Sequence, residues 1–376
     1  MTTINKTQQK LGIYIHIPFC LQKCLYCGFY SSGGSSLSRQ EAYVEELLED
    51  IRAYGEVYGQ KYVVDTVFIG GGTPSILPAA LIGKVMDQLR RCFSLDEDKN
   101  MEITIESNPR TLSQEKLLAY RSFGINRLSI GVQSFDDEIL KNLGRVHDSC
   151  DAVHSFQLAR QCGFDNINLD LMFAVPGHTM EIWEKTLKEA TGLQPEHISF
   201  YSLQIEEGTP YYEMFQRGEI EEIPDELDRC MYHRAIDVLK KSGYDHYEIS
   251  NVAKTGRQCR HNLKYWSLSD YLGIGSGASS YMEGIRFTEA PFPEFHQNTK
   301  EDDMCEFVFT GLRKTCGIDL LAFEKRFGAP FWEVYGDRQG ELADFFSSGY
   351  LLEEGDWLRI SEEGIDISNQ IMAVFV

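Results

Sequence analysis

The run Tyr14-Ile15-His16-Ile17-Pro18-Phe19-Cys20-Leu21-Gln22-Lys23-Cys24-Leu25-Tyr26-Cys27 decides how the rest of this chain is read. An apolar strand, Gly12–Ile17, opens into a loop whose cysteines are spaced C-x3-C-x2-C, with no fourth cysteine nearby. Three thiolates are one fewer than a four-iron cluster needs, so one iron would be left open to bind something else. Zinc is the competing reading, since it also takes tetrahedral sulfur, but a structural zinc site wants four ligands. From this segment only His16 could supply the fourth, and it precedes the loop on the strand.

Length and composition bound the alternatives. With 376 residues the chain has room for a barrel-sized domain and a smaller one. Its 43% hydrophobic and 25% charged residues are those of an ordinary globular protein. No stretch approaches the roughly 18 uninterrupted apolar residues of a membrane span. The first dozen residues lack the apolar core of a secretory signal, so a cytoplasmic location is expected. Ten cysteines then read as thiols or metal ligands and not as disulfides. Apart from the first three, they are scattered (Cys92, Cys150, Cys162, Cys230, Cys259, Cys305, Cys316) and are expected to be small, mostly buried side chains. A formal net charge of −21 without a basic block excludes nucleic acid as a partner and disfavours anionic membrane surfaces.

Short apolar runs alternate with helical patterns. Strands are expected at Gly12–Ile17, Thr66–Ile69, Met101–Ile105, Arg127–Val132, Ile167–Leu171 and His197–Leu203, with helices between them at Ser38–Tyr54, Pro78–Cys92, Ser113–Phe123, Ser149–Gln161 and Met180–Thr191. Strands recurring about every 30 residues, each followed by a helix, predict βα units and a parallel sheet. A polar or glycine-rich group follows each strand: the cysteine loop, Gly70-Gly71-Gly72-Thr73-Pro74, Glu106, Gln133, Asp170 and Gln204. If the sheet curves into a barrel, these converge on its C-terminal face, where βα-barrel active sites lie. An open doubly wound sheet would instead place a ligand at one switch point. A further helix is expected at Ile223–Lys241, then a strand-like Tyr244–Ile249 and a glycine-rich Tyr271–Ala278. From about Pro291 the character changes to helices, Glu301–Arg313, Asp319–Arg326 and Phe331–Ser347, and a hairpin around Gly355-Asp356.

The cysteine spacing with an aromatic, Tyr26, before the last cysteine resembles the radical S-adenosylmethionine (SAM) superfamily, and the string Tyr-Ile-His-Ile-Pro-Phe-Cys resembles its coproporphyrinogen III dehydrogenase-like branch. The resemblance implies an α/β fold: a partial (β/α)6 barrel over residues 1–290, with a smaller winged-helix-like α+β domain over 291–376. It also implies that Cys20, Cys24 and Cys27 hold a [4Fe–4S] cluster whose fourth iron chelates SAM, with reduction cleaving SAM to a 5′-deoxyadenosyl radical. The hard chemistry would belong to the cofactor, and the protein would hold and shield it.

The same resemblance assigns SAM contacts to Tyr14, Tyr26, Gly71, Gly72, Thr73, Glu106, Gln133, Arg145, Asp170 and Gln204. Their chemistry is compatible. Glycines let main chain approach a ligand closely. A carboxylate such as Glu106 can accept from two ribose hydroxyls, and the arginine fork of Arg145 suits a carboxylate. Asp170 would be costly if buried without a partner. Some members of the superfamily branch bind a second SAM, and the count stays open here. No catalytic residue is assigned.

The segment Cys259-Arg260-His261-Asn262-Leu263-Lys264-Tyr265-Trp266 separates the branches. An imidazole, an amide and two aromatics within six residues suit an axial heme ligand and a porphyrin face, or a core aromatic cluster with one satisfied histidine. His-Asn-x-x-Tyr-Trp resembles the signature of the heme-chaperone, HemW-like members. That implies heme contacts at His261, Asn262, Tyr265 and Trp266, with Cys259 a second conceivable ligand. The implied partners are heme, an apo-hemoprotein acceptor such as a respiratory one, and an electron donor for the cluster. Two departures separate the chain from true coproporphyrinogen III dehydrogenases. Phe29 stands where those enzymes carry a further cysteine, and only thirteen residues precede Tyr14. Oxidative decarboxylation of coproporphyrinogen remains the alternative activity, and another radical reaction on a tetrapyrrole a third.

Overall fold

Apolar runs that stay buried along nearly their whole length, as parallel strands covered on both faces do, set the architecture. The computed structural model describes residues 9–96 and 101–376; residues 1–8 and 97–100 of the expected 1–290 unit lie outside the described residues. Strands β1 (Gln9–Ile17), β2 (Tyr62–Gly71), β3 (Glu102–Ser107), β4 (Arg127–Gln133), β5 (Ile167–Phe173) and β6 (His197–Ser202) pair in chain order, all parallel. Helices α1 (Leu37–Tyr58), α2 (Ala79–Cys92), α3 (Gln114–Ser122), α4 (Ser149–Gln161) and α5 (Met180–Leu193) lie between them in sequence. Side chains of Ser36, Ser113, Asp148 and Thr179 accept from first-turn N–H groups and so fix where α1, α3, α4 and α5 begin.

Further strands continue the sheet at both ends, so the barrel is partial. After α6 (Asp225–Lys241), strands β7 (Asp245–Glu248) and β8 (Asn251–Ala253) form an antiparallel pair beside β6. On the other side β9 (Tyr271–Ile274) runs parallel to β1 and is followed by the antiparallel β10 (Ser279–Met282), β11 (Ile285–Thr288) and β12 (Glu294–Gln297). The glycine-rich stretch Tyr271–Ala278, to which the sequence assigned no element, is thus in part a strand.

Between β8 and β9 lies the short helix α7 (Arg260–Trp266), which closes the end of the barrel where the parallel strands begin. Three devices dock it. Glu102, at the start of β3, accepts from the N–H groups of Arg260 and His261 at 3.0 Å each. The register between β1 and β2 shifts at Leu11/Gly12, and Asp65, left out of the pairing, meets Lys264 at 2.7 Å. Gly12 allows the approach, since a Cβ there would stand 2.7 Å from the Lys264 side chain and 3.2 Å from the His261 ring.

The C-terminal part comprises α8 (Lys300–Gly311), α9 (Leu320–Phe327), α10 (Gln339–Ser347) and a hairpin of β13 (Leu351–Glu354) and β14 (Trp357–Ile360), whose second strand also pairs with Ile318–Asp319. The single helix expected over Phe331–Ser347 is instead a turn of helix at Phe331–Val334, a tight turn at Gly336–Arg338, and α10. Gly336, a poor helix former, sits at the break.

Candidate functional site

The C-terminal ends of all six parallel strands open onto one cavity of about 370 Å³, a volume in the range of cofactor sites. The loop after β1 contributes Cys20, Cys24, Tyr26 and Cys27; the end of β2 contributes Gly71, Gly72 and Thr73; β3 to β5 contribute Glu106, Gln133 and Asp170; and Arg145 enters from the segment after β4. An open flat sheet could not bring these strand ends to one space, so the curved reading holds.

The thiols surround this cavity. Among the described residues no three His, Cys, Asp or Glu side chains stand close enough to share a single metal ion. His16 is not a fourth ligand. Its Nε2 donates to the carbonyl of Tyr30 at 2.9 Å, so its Nδ1 accepts from the Tyr14 hydroxyl at 3.1 Å. Two sulfurs receive protein donors: Thr73 Oγ1 lies 3.6 Å from Cys20 Sγ, and Arg145 Nη1 lies 3.3 Å from Cys24 Sγ. Asn108 joins the two donors, giving an N–H to Thr73 Oγ1 at 2.8 Å and accepting from Arg145 Nη2 at 2.5 Å. Donors to sulfur stabilise thiolate and tune a bound cluster.

Two carboxylates line the same cavity. Burial, with the neighbouring Asp170, pushes the Glu106 carboxyl up to about 8, and the N–H of Gly71 donates to it at 3.0 Å. Burial also raises Asp170, against the donors Asn168 and Ser129. Gln133 reaches the cavity through a register shift at the end of β4 and a left-handed backbone, φ 68°, and accepts from the Tyr201 hydroxyl at 2.9 Å. The residues fit a cluster-bound sulfonium amino acid with a nucleoside. Three thiols leave a fourth position, two carboxylates face it, and the buried Nε of Arg145 has no hydrogen-bond partner.

Not every expected residue reaches this cavity. Tyr14 is not among the residues that line it; its ring stacks on Phe68 at 6.2 Å. Gln204 is displaced: β6 ends at Ser202, and Gln204 lines a neighbouring cavity with Asp225 and Asp228. His261, Asn262, Tyr265 and Trp266 lie on α7, at the other end of the barrel. His261 is fully enclosed, with Nδ1 bonded to Thr66 Oγ1 at 2.9 Å and Nε2 to the Tyr265 hydroxyl at 2.8 Å. Neither nitrogen is open to an axial bond in this arrangement. Cys259 is buried against Glu102, and burial pushes its thiol up to about 12. Of the other scattered cysteines, Cys150, Cys230 and Cys316 are exposed, contrary to the expectation of burial. Asn108 and Tyr201 also line the cavity and were not among the expected residues. Asn108 stands two residues after Glu106 in the same strand-end string, which was the available signal.

Comparisons with known proteins bear on the family and the fold. Residues 14–190 match the radical SAM superfamily, and residues 298–367 match the HemN C-terminal domain. The structure of coproporphyrinogen III oxidase from Escherichia coli, described as a radical SAM enzyme, superposes with a TM-score of 0.85 over 98% of this chain and 90% of that one, at 23% identity; this shows the shared fold. The class is therefore that of the radical SAM proteins. Heme chaperone HemW of Bacillus subtilis is 35% identical, covering 96% of this chain and 98% of its own. Heme chaperone HemW of Escherichia coli is also 35% identical, covering 97% and 98%. The chain belongs to the HemW family of the radical SAM superfamily.

Proposed function

We propose that this chain holds a [4Fe–4S] cluster on Cys20, Cys24 and Cys27, takes SAM at the open iron, and binds heme for delivery to acceptor apo-hemoproteins. The observation that carries the cofactor part is the convergence of three thiols, two carboxylates and an arginine on one cavity. Tyr26, Gly71, Gly72, Thr73, Glu106, Gln133, Arg145 and Asp170 would contact SAM, with Tyr14 supporting Glu106. When bound, the cluster and SAM together supply reductive cleavage of the sulfonium to a carbon radical. The chain's own residues have other tasks. Thr73 and Arg145 donate to the sulfurs, the glycines bring main chain close, and the carboxylates hold polar hydrogens of the nucleoside.

The heme part rests on the family, whose members are named heme chaperones. Exposed aromatic surface at the cavity mouth supports it. Phe29 lines the cavity and is 72% exposed, and Tyr30 beside it makes an edge contact at 6.2 Å with Phe292, 66% exposed. Such rings suit a flat apolar macrocycle. Lys23, on the same cavity, offers a cation to a propionate. Heme contact by His261, Asn262, Tyr265 and Trp266 would require α7 to leave its seat. An electron donor for the cluster is part of the proposal, as are a cytoplasmic site of action and a division into a barrel (1–290) and a C-terminal domain (291–376).

Anaerobically reconstituted protein, tested separately with heme and with coproporphyrinogen in the presence of SAM and reductant, decides the matter. Tight heme binding with transfer to an apo-hemoprotein, and no catalytic protoporphyrinogen, is the expected result. Catalytic protoporphyrinogen would make the chain a dehydrogenase, and zinc in place of iron would overturn the cofactor reading altogether.

A further inference from the structure

We infer that Tyr247, His197 and Asn168 form a one-way hydrogen-bond relay that orients Asp170 toward the cavity, a positioning role that rests on the SAM reading of that cavity. The relay starts at the backbone of Cys259, immediately before α7. The N–H of Cys259 lies 3.3 Å from the Tyr247 hydroxyl oxygen, and that hydroxyl lies 2.7 Å from His197 Nε2. His197 Nδ1 lies 2.6 Å from Asn168 Oδ1, and Asn168 Nδ2 lies 2.7 Å from Asp170 Oδ1.

Its two ends fix its direction. A backbone N–H can only donate, and an ionised carboxylate can only accept. Asp170 accepts, so Asn168 turns its NH2 to it and its Oδ1 to His197. His197 Nδ1 must then donate, the neutral Nε2 accepts, and the Tyr247 hydroxyl, which accepts from Cys259, gives its own proton to Nε2. His197 therefore carries its hydrogen on Nδ1 and gives it to Asn168 Oδ1, where the Ser199 hydroxyl also donates at 3.2 Å. That holds the Asn168 amide with its NH2 toward Asp170 and the Ser129 oxygen, 2.7 Å away. Ser129 in turn donates to Asp170 Oδ2 at 3.1 Å, so both oxygens of Asp170 are held from within the barrel. His197 is fully buried, and burial keeps its ring neutral, as the relay requires.

Removing the Tyr247 proton lets His197 take its other tautomer. Asn168 can then turn over and face Asp170 with its oxygen, which repels a carboxylate. The other groups that bear on Asp170 are Ser199, Glu106, Arg127 and Tyr201, and none of them is replaced in this change.

The test uses full-length reconstituted protein with oxidised cluster and SAM, without reductant. Affinity is followed by calorimetry from pH 6 to 9, with thermal melting alongside. Tyr247→Phe is expected to weaken SAM about tenfold, the worth of one buried hydrogen bond to a charged group. The pH midpoint of binding, which Glu106 sets, should stay in place, and melting should stay near that of wild type. Asp170→Asn should weaken SAM as well, and adding Tyr247→Phe to it should cost nothing more. His197→Gln, which keeps an N–H for Asn168, should recover most of what His197→Ala loses. If Asp170→Asn weakens SAM but Tyr247→Phe does not, if the two losses multiply, or if Gln fails to rescue, the relay is wrong while the SAM site stands. If Asp170→Asn binds SAM as wild type does, the SAM reading falls and the relay with it.

Discussion

Glu106 shows how a single side chain sets a measurable dependence on pH. Burial and Asp170 hold its proton to about pH 8 in the folded chain. A nucleoside whose hydroxyls donate to a carboxylate needs that proton gone. SAM affinity should therefore rise from pH 6, by up to about tenfold per unit, and level off above about 8. Calorimetry in two buffers of different ionisation enthalpy reads both the affinity and the proton released. Glu106→Gln should flatten the profile and weaken binding; an unchanged, sloping profile would assign the titration to another group. Stability has a matching sign. An acid whose pKa is raised by folding stabilises the fold below its unfolded value, and that contribution is lost as pH rises through about 8. His261 makes the opposite case, of a residue whose chemical promise its surroundings absorb. Its two hydrogen bonds and complete burial predict that His261→Ala lowers stability by about 2–4 kcal/mol, seen as an earlier denaturant midpoint, while heme binding is retained. Loss of heme from a normally folded variant would restore it as a ligand. The sequence shows an imidazole among aromatics in both cases, and only the distance of α7 from the thiols separates ligand from core. Asn108 was hidden for a similar reason: a polar residue before a proline reads as a cap, which it also is.

At the scale of elements, most of the barrel was legible because its strands are apolar runs of one kind with a helix after each. The strand at Tyr271–Ile274 was not, since Gly273 and Gly275 interrupt the apolar pattern and only its pairing with β1 makes it a strand. Nor could periodicity show that α7 would be a plug, because seven residues are too few to display a face. Its docking depends on tertiary contacts that no local pattern carries, above all the bulge that aims Asp65 at Lys264. Both side chains are nearly enclosed, at 12% and 10% exposure. Asp65→Asn leaves a buried ammonium without its counter-charge, a change worth about 3–5 kcal/mol. The expected outcome is a markedly lower denaturant midpoint, with faster hydrogen exchange concentrated in residues 260–266. Asp65→Asn combined with Lys264→Met, which removes both charges, should recover much of the loss. If the single variant melts as wild type does, the ion pair does not hold the plug.

For the whole molecule, the question is whether the C-terminal part is a separate appendage or is packed onto the barrel. The hydrophobic core answers it. Side chains of the barrel and those of the C-terminal helices, among them Phe323, Phe331, Leu342 and Phe375, belong to one continuous buried cluster. Polar contacts cross the same boundary. The N–H of Thr315 donates to the carbonyl of Tyr247, that of Ile249 to the carbonyl of Arg313, and His233 meets Asp366 at 2.9 Å. Glu248 is completely buried there, 3.8 Å from Arg313. A part that swung freely would have to expose this apolar surface and leave the buried Glu248 without its counter-charge, Arg313, so the two parts should unfold together. A single calorimetric transition is expected, with equal van't Hoff and calorimetric enthalpies. A chain cut after Gln297 should be insoluble or molten, because the cut strips the cover from buried barrel residues. The coupling also reaches the chemistry, since Tyr247, whose carbonyl meets Thr315, stands one residue from Glu248 and hydrogen-bonds His197 inside the barrel. Two separated transitions, or a truncated chain that folds and still binds SAM with wild-type affinity, would show the C-terminal part to be an independent appendage.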